Sequence, residues 1–439
     1  MKVKQKFKKM FALDNPFRLG YHKIRAIIAN FVYSFPSKDM QIIGVTGTNG
    51  KTTTCNIIAS GLRKAGKKVF MFTTVNIIIG DEEYLNETKM TSPDVFELQK
   101  LFSIAKKAGC EVAIIETASH GIVMHRVWGL EYDTCVLTNI TQDHLDLHRT
   151  MENYVNTKLS IFKNLIRYKR KPGIKKTAVI NIDSDYSELF LAETYDTFYT
   201  YGKNARANFA PYDIETTING TKFKIRMAGK DINVDTHLLG DFNVYNILAA
   251  IGVFVSSGMK QEEIEDSIKD VLGIPGRMEK VENSFGFTVI VDYAHTEDAL
   301  RESLSTIKGM KGLDRIITVF GATGDRDKTK RPIMGEVVSE LSDVVILTQD
   351  DDYTEKTENI IKDILPGIER KEGDNFWIIA NRKEAIRTAL MSAEKGDVVF
   401  LAGKGDEHIM ITNKGPIQWH DKTIVKEILK GIEDNTLVK

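Results

Sequence analysis

The run Gly44-Val45-Thr46-Gly47-Thr48-Asn49-Gly50-Lys51-Thr52 stands between a short apolar stretch and a stretch of helical pattern. A glycine-rich turn in that setting aims backbone N–H groups at a phosphate, and the helix N-terminus behind it adds a favourable dipole. Lys51 can neutralise β- and γ-phosphate oxygens while the Thr52 hydroxyl ligates Mg²⁺. The strict phosphate-loop pattern asks for a glycine where Val45 stands. What remains is a variant that keeps Gly47, Gly50, the lysine and the threonine in the right context.

Other polar groups close apolar runs in the same way. Glu116 ends Ile114-Ile115-Glu116 and is followed by Thr117-Ala118-Ser119-His120-Gly121; a carboxylate there, opposite a phosphate loop, is a hard oxygen ligand for Mg²⁺. Thr138 to His148 follows another run. His144 and His148 are four apart, the spacing of a zinc pair on a helix, but no glutamate accompanies them in the metalloprotease arrangement. Later, Val291-Asp292-Tyr293-Ala294-His295, Phe320-Gly321-Ala322-Thr323-Gly324-Asp325 and Gly403-Lys404-Gly405-Asp406-Glu407 close three further runs with charged or glycine-rich loops.

Such loops need strands to hold them. Gln41–Thr46 predicts a strand, 52–65 a helix, Val69–Thr74 a strand, and 94–108 an amphipathic helix with Val95, Leu98, Leu101, Phe102 and Ala105 inward. Strands at 111–116 and 134–138 follow. This alternation predicts a doubly wound parallel sheet with functional residues at the carboxyl ends of its strands. Residues 196–237 predict a small antiparallel patch with a turn at Asn219-Gly220. Gly273-Ile274-Pro275-Gly276 marks a linker after a helix ending near Leu272. Beyond it, strands at 287–291, 315–320, 344–348, 376–380 and 398–402 predict a second doubly wound domain. The fold class is therefore α/β: a basic N-terminal helical segment (1–39), a central P-loop-type ATPase domain (40–273) and a C-terminal Rossmann-like domain (274–439), the two domains facing across a nucleotide-filled cleft.

Composition bounds the function. Lys plus Arg equals Asp plus Glu at 60 each, which argues against a wholesale polyanion binder, and nucleic acid is not an expected partner. The 439 residues hold three cysteines, too few and wrongly spaced for a disulfide framework or a zinc site. With no export signal and no long apolar span, a cytoplasmic location is expected. The first 39 residues differ from the rest: nine basic against two acidic side chains, with Leu19, His22, Ile24, Ile27, Ile28, Phe31 and Val32 at roughly helical spacing. They read either as a helix packed on the body with a solvated basic arm or as an interfacial helix on anionic lipid.

Taken together, these motifs resemble the Mur ligase family, the ATP-dependent amide-forming enzymes of peptidoglycan precursor synthesis, over about residues 40–430. The resemblance implies that Gly47, Thr48, Asn49, Gly50, Lys51, Thr52 and Thr53 bind ATP. It implies that Thr52, Glu116 and His144 serve two Mg²⁺ ions, and that Lys158, in Tyr154-Val155-Asn156-Thr157-Lys158, is carbamylated and helps hold the second. It also places Asn246 at the adenine, Arg277 by the nucleotide, Asp292 at the ribose and Tyr293 and His295 beside it. Within the family the closest pattern is the branch that adds the third amino acid to UDP-N-acetylmuramoyl-L-alanyl-D-glutamate. By that likeness Thr91, Ser92, Ser119 and Arg126 hold the muramoyl-dipeptide, while Asp350, Asp351, Gly403 and Glu407 face the amino acid.

Two departures stand out. The phosphate loop begins at residue 44, so the family's N-terminal uridine-binding domain is expected to be missing. And the motif reading Asp-Asn-Pro-Arg in diaminopimelate-adding enzymes is Asp350-Asp351-Asp352-Tyr353 here, which favours a cationic side chain such as lysine. The implied chemistry is transfer of the γ-phosphoryl group to a carboxylate, then capture of the acyl phosphate by an amine. The alternatives are a related amide ligase acting on a lipid-linked muropeptide, poly-glutamate or folate acceptor, and a silent nucleotide-binding scaffold. A scaffold needs neither Lys158 nor a second metal site.

Overall fold

The protein is described by a computed structural model that covers residues 16–434 other than 87, 89, 144 and 228, with the backbone alone at 146. The described residues divide into two compact units: 16–214, 222–236 and 242–271, and 215–221, 237–241 and 272–434.

The first unit is built on an eight-stranded sheet of β1 (Gln41–Thr46), β2 (Val69–Phe72), β3 (Asn76–Ile79), β4 (Glu82–Leu85), β5 (Val112–Glu116), β6 (Thr134–Leu137), β7 (Thr177–Asn181) and β8 (Thr197–Tyr201), in the order β4-β3-β2-β5-β1-β6-β7-β8. β1 lies between β5 and β6, parallel to both, with Val45 opposite Glu116 and Thr46 opposite Leu137. Central strands covered on both faces must be apolar throughout, and β2, β5, β6 and β7 are buried along their whole length. β8 pairs in parallel with β7, so it belongs to this sheet and not to the small patch expected from residue 196. It is the edge strand of that sheet, with Phe198 exposed and Thr200 and Tyr201 buried. The separate patch is three-stranded, β9 (Pro211–Thr217), β10 (Gly220–Met227) and β11 (Lys230–Thr236), in the order β11-β10-β9.

The phosphate-loop helix runs Lys51–Lys64, one residue earlier than expected at its start, and carries Arg63 and Lys64 in its last turn. The helix Val95–Lys107 is capped by Asp94, whose carboxylate accepts from Phe96 N; Val95, Leu98, Gln99, Phe102 and Ala105 are its buried positions. Beneath the sheet's amino ends, fully buried Asp133 accepts from Ile42 N (2.9 Å), Lys171 Nζ (2.6 Å) and Lys176 Nζ (2.9 Å). That triad pins the start of β1. Cys55, Cys110 and Cys135 are free and buried.

The second unit holds a six-stranded sheet of β12 (Glu279–Val281), β13 (Thr288–Asp292), β14 (Ile316–Phe320), β15 (Val344–Leu347), β16 (Phe376–Ile378) and β17 (Val398–Ala402), in the order β12-β13-β17-β14-β15-β16. All its neighbours are parallel except β12, which runs antiparallel to β13. A hairpin, β18 (Ile409–Thr412) with β19 (Gly415–Gln418), follows the loop after β17. The helix before the Gly273–Gly276 segment ends at Lys269 rather than near Leu272, which is exposed. Among the described residues no helix is long and apolar enough to cross a membrane.

Candidate active site

In the first unit the turn after β1 is held in one shape from two sides. Gly47 and Gly50 have φ of 152° and 82°. A Cβ on Gly47 would meet Thr138 Oγ1 at 1.8 Å, and one on Gly50 would meet Asn246 Oδ1 at 2.2 Å, so neither position has room for a side chain. Thr48 N donates to Asn139 O (2.9 Å) and Asn49 N to Asn139 Oδ1 (2.8 Å), while Thr138 Oγ1 donates to Asn49 O (2.6 Å). Thr138 and Asn139 follow β6 and brace the turn; no role for these two side chains was legible in the sequence, since the pairing of β6 with β1 brings them there. The Lys51 ammonium rests on Thr48 O at 2.7 Å, within reach of whatever the turn encloses.

Thr52 opens the helix with its hydroxyl donating to Glu116 Oε2 at 3.0 Å. The same carboxylate oxygen accepts from Thr74 N (2.8 Å), and Thr74 Oγ1 lies 3.2 Å from it. Glu116 is buried, and among the described residues its carboxylate is held by hydroxyls and an amide. An all-oxygen donor set of one carboxylate and one or two hydroxyls suits Mg²⁺, and these residues fit that ion. Thr74 went unassigned in the sequence, although its place just past β2 is the signal that marks such residues.

The spacing of four puts Tyr154 and Lys158 on one face of the helix Met151–Leu165. Tyr154 Oη meets Thr48 Oγ1 at 3.1 Å; Lys158 Nζ donates to Gly47 O at 2.6 Å and lies 4.5 Å from the Tyr154 ring centroid. A plain surface lysine is the ordinary expectation for such a residue, and the structure overturns it: Lys158 is 1% exposed. Burial, with Lys51 nearby, holds its pKa well below the usual lysine value, against the opposing pull of Asp143. His148 packs edge-on to His120 and tilted against Tyr154. His144, four residues before it and an implied magnesium ligand, lies outside the described residues.

Asn246 stands inside the unit. Its Oδ1 accepts from Thr54 Oγ1 (3.3 Å) and its Nδ2 donates to Asn243 Oδ1 (2.9 Å), so this carboxamide braces Gly50 from below. Thr53 is also buried. Toward β2, Thr91 Oγ1 lies 2.8 Å from Thr74 Oγ1, and Arg126 Nη1 donates to Ser92 O at 2.6 Å. The hydroxyls of Ser92 and Ser119 are buried without a hydrogen-bond partner. Unpaired buried hydroxyls cost stability and mark places where a ligand can supply the partner. Thr52, Glu116, Thr74 and Thr91 thus form one chain of hydrogen bonds, next to Ser92 and the Arg126 that donates to it.

The second unit gathers its own cluster at the carboxyl ends of β13, β15 and β17. Asp292 accepts from Met278 N (2.7 Å), Ala294 N (2.9 Å) and Ser303 Oγ (3.2 Å); burial raises its pKa, opposed by Arg277 and these bonds. The Arg277 guanidinium lies 4.5 Å from the Tyr293 ring centroid, and His295 Nδ1 is 2.8 Å from Tyr293 O. Gly276, at φ 62°, sits so close to Asp406 N that a Cβ would approach it to 2.1 Å.

The Asp350–Tyr353 loop is less open than its composition suggests. Lys404, fully buried, donates to Asp351 Oδ1 (2.7 Å), to Glu407 and to Ile409 O (3.1 Å). Burial works against its charge, but Asp350, Glu407 and Asp351 together hold the ammonium's pKa above the usual lysine value. Asp352 turns inward to Gln349 and Thr357, and burial raises its pKa. Asp350 Oδ2 is buried with no partner, facing Gly403. One ammonium therefore already binds Asp351 and Glu407 and draws on the charge of Asp350. Simple charge counting from the sequence could not show that, because Lys404 reaches the loop only through the β17 turn.

Comparison with known proteins gives this arrangement its context. Residues 45–254 match the Mur ligase middle domain and residues 276–405 the Mur ligase glutamate ligase domain. A protein of Clostridium acetobutylicum named UDP-N-acetylmuramoyl-L-alanyl-D-glutamate--2,6-diaminopimelate ligase 1 is 39% identical over 413 residues, 93% of this chain and 82% of that protein. A ligase of the same activity name from Bacillus cereus is 39% identical over 410 residues, again 93% and 82%. Among solved structures, a UDP-N-acetylmuramoyl-L-alanyl-D-glutamate--2,6-diaminopimelate ligase matches with a TM-score of 0.67 at 30% identity, covering 93% of this chain and 83% of the other. A folylpolyglutamate synthase of Mycobacterium tuberculosis complexed with ADP shares the fold, with a TM-score of 0.68 at 17% identity over 87% of this chain and 91% of its own. With a phosphate turn, a hydroxyl–carboxylate pair and relatives this similar over nearly its whole length, the chain belongs to the Mur ligase family of ATP-dependent ligases.

Proposed function

We propose that this protein joins a diamino acid to the D-glutamyl carboxylate side of UDP-N-acetylmuramoyl-L-alanyl-D-glutamate, converting ATP to ADP and phosphate through an acyl phosphate. The observation that carries the reading is the Gly47–Thr52 turn with Thr52 donating to buried Glu116, in a chain 39% identical to enzymes named for this reaction. The backbone amides of the turn cradle the phosphates. Lys51, released from Thr48 O, follows the charge that develops on the transferring group. Thr52 and Glu116 hold Mg²⁺, which when bound neutralises phosphate charge so that a carboxylate can approach.

Lys158 is the residue for the second, finer part of the proposal. Its low pKa supplies a neutral amine, which is the form that adds to CO₂: the nitrogen lone pair bonds to carbon and one proton leaves, giving a carbamate. Held next to Gly47, that carbamate would present oxygens to a second Mg²⁺ shared with His144. Thr91, Ser92, Ser119 and Arg126 orient the muramoyl-dipeptide. In the second unit, Arg277, Asp292, Tyr293 and His295 serve the nucleotide, and Asp350, Asp351, Gly403 and Glu407 the amine.

The relatives are named for 2,6-diaminopimelate, which supports that amine. One feature favours L-lysine as a second reading: no arginine stands in Asp350–Tyr353 to fork onto a distal carboxylate. Incubating the protein with ATP, Mg²⁺ and UDP-muramoyl-dipeptide, and weighing the products formed with each amino acid, decides between them. Absence of product with either amine, but turnover on a lipid-linked or folate acceptor, would overturn the acceptor assignment.

A further inference from the structure

The helix Pro16–Val32 rests on the first unit by its small side. Ala26, Ala29 and Asn30 are its buried residues; the alanines pack with Val95, Phe96 and Trp128, and Asn30 Nδ2 donates to Ala26 O (2.9 Å) and Trp128 O (3.1 Å). Arg25 fastens the same side through an ion pair to Asp94 at 2.9 Å. The opposite side carries the large residues. Tyr21, Ile24, Ile28, Phe31 and Val32 are 60%, 59%, 47%, 67% and 62% exposed. Steps of three and four residues along a helix fall on one face, so these side chains form one apolar ridge pointing away from the body. The sequence reading put such residues against the body or against lipid; the structure gives the packed side to alanine and asparagine and leaves the bulky side outward.

The charges around the ridge select what can cover it. Lys23 is exposed on one flank and Arg18 half-exposed on the other. The residues just before the helix in sequence include Lys2, Lys4, Lys6, Lys8 and Lys9 with Asp14 as the lone acid. A second copy of the chain laid on the ridge would set these basic flanks against one another, and a nucleic acid has no use for an isoleucine and phenylalanine ridge. A surface that is apolar below a layer of negative charge accepts both parts. The helix is not a membrane span.

We propose that this face is a docking surface for an anionic lipid bilayer, with Ile24, Ile28, Phe31 and Val32 lying among the acyl chains near the headgroups and the Arg18 and Lys23 flanks at the phosphates. An apolar helix face and a polybasic segment are two weak anchors that together hold a protein reversibly at a membrane. The proposal is independent of the ligase chemistry and stands or falls without it.

The test is sedimentation of the full chain with vesicles of phosphatidylcholine alone or with about a third phosphatidylglycerol. The wild type should pellet with the anionic vesicles about tenfold more strongly than with neutral ones, and less so at high salt. Ile24→Ser/Ile28→Ser/Phe31→Ser should lose that binding, as should replacing the five lysines at 2–9 by glutamine, with the melting temperature and ADP release of each kept as controls for folding. The proposal is overturned if the wild type ignores anionic vesicles, or if it pellets equally after the triple substitution. It is equally overturned if the wild type is a dimer that the triple substitution splits while lipid binding is absent, because the ridge then belongs to a second copy.

Discussion

At the scale of single residues, the reaction depends on charges placed where the fold can afford them. Lys51 and Glu116 differ in what their loss exposes. Lys51→Ala removes a cation from the turn, whereas Glu116→Gln leaves a side chain of the same shape with weaker acceptors for Thr52 and Thr74. Both should lower amino-acid-dependent ADP release by about a hundredfold or more, measured alongside circular dichroism that stays unchanged. Lys158 invites two experiments. Lys158→Ala should lose activity that short carboxylic acids partly restore; an inert variant with no rescue removes the support for a carbamate.

The second experiment on Lys158 uses pH. In the unfolded chain this amine keeps its proton up to the ordinary value of 10.5, while in the folded chain burial releases it at lower pH. Between those two values the unfolded state binds more protons, so stability rises with pH through the window. In CO₂-free buffer the wild type should therefore gain in denaturation midpoint from neutral to alkaline pH relative to Lys158→Met, which lacks the titrating group. Parallel profiles for the two proteins would refute the lowered pKa of Lys158.

At the scale of elements, the phosphate turn and the start of β1 are the two places where local geometry is over-determined. Gly50 needs a left-handed backbone and faces Asn246 at a distance no Cβ could occupy. Gly50→Ala should cost about 1–2 kcal/mol in backbone strain, more once Asn246 is displaced, and should weaken ATP binding more than a comparable loss elsewhere; urea denaturation and nucleotide titration read the two effects. Asp133 is the counterpart beneath the sheet. Asp133→Ala leaves Lys171 and fully buried Lys176 without their carboxylate, and breaking such a pair costs about 3–5 kcal/mol in unfolding measurements. β1, β2, β5, β6 and β13–β17, and the helices at 51–64 and 95–107, were legible because buried parallel strands are apolar throughout and surface helices repeat near 3.6, whereas β3, β4 and the equally buried β7 went unread. β8 was misplaced because its pairing with β7, and not its own Thr-Phe-Tyr-Thr-Tyr run, decides which sheet it joins.

At the scale of the whole molecule, specificity for the amine is the property with the widest reach. The Asp350–Asp352 carboxylates are largely committed, to Lys404, Gln349, Thr357 and backbone amides. Glu407 shares the Lys404 ammonium with Asp351, and the proposed function places it beside the amine. Glu407→Gln should raise KM for the amino acid several-fold while leaving KM for ATP unchanged; a change in the ATP constant instead would move Glu407 away from the amine.

The sequence by itself determined which residue types could do the work: a Gly-Lys-Thr turn, an acid at the end of an apolar run, and loops of charge after successive strands. Each is a local pattern, set by the needs of a phosphate, a hard cation and a strand end. Only the tertiary structure decided what those groups meet. Lys158 is buried against Gly47, Asn246 braces a turn nearly two hundred residues before it, Lys404 neutralises an acidic loop, and the N-terminal helix turns its alanines inward. Burial and long-range partnership belong to the packed chain, and a residue's charge state, reach and exposure follow from them rather than from its neighbours in sequence.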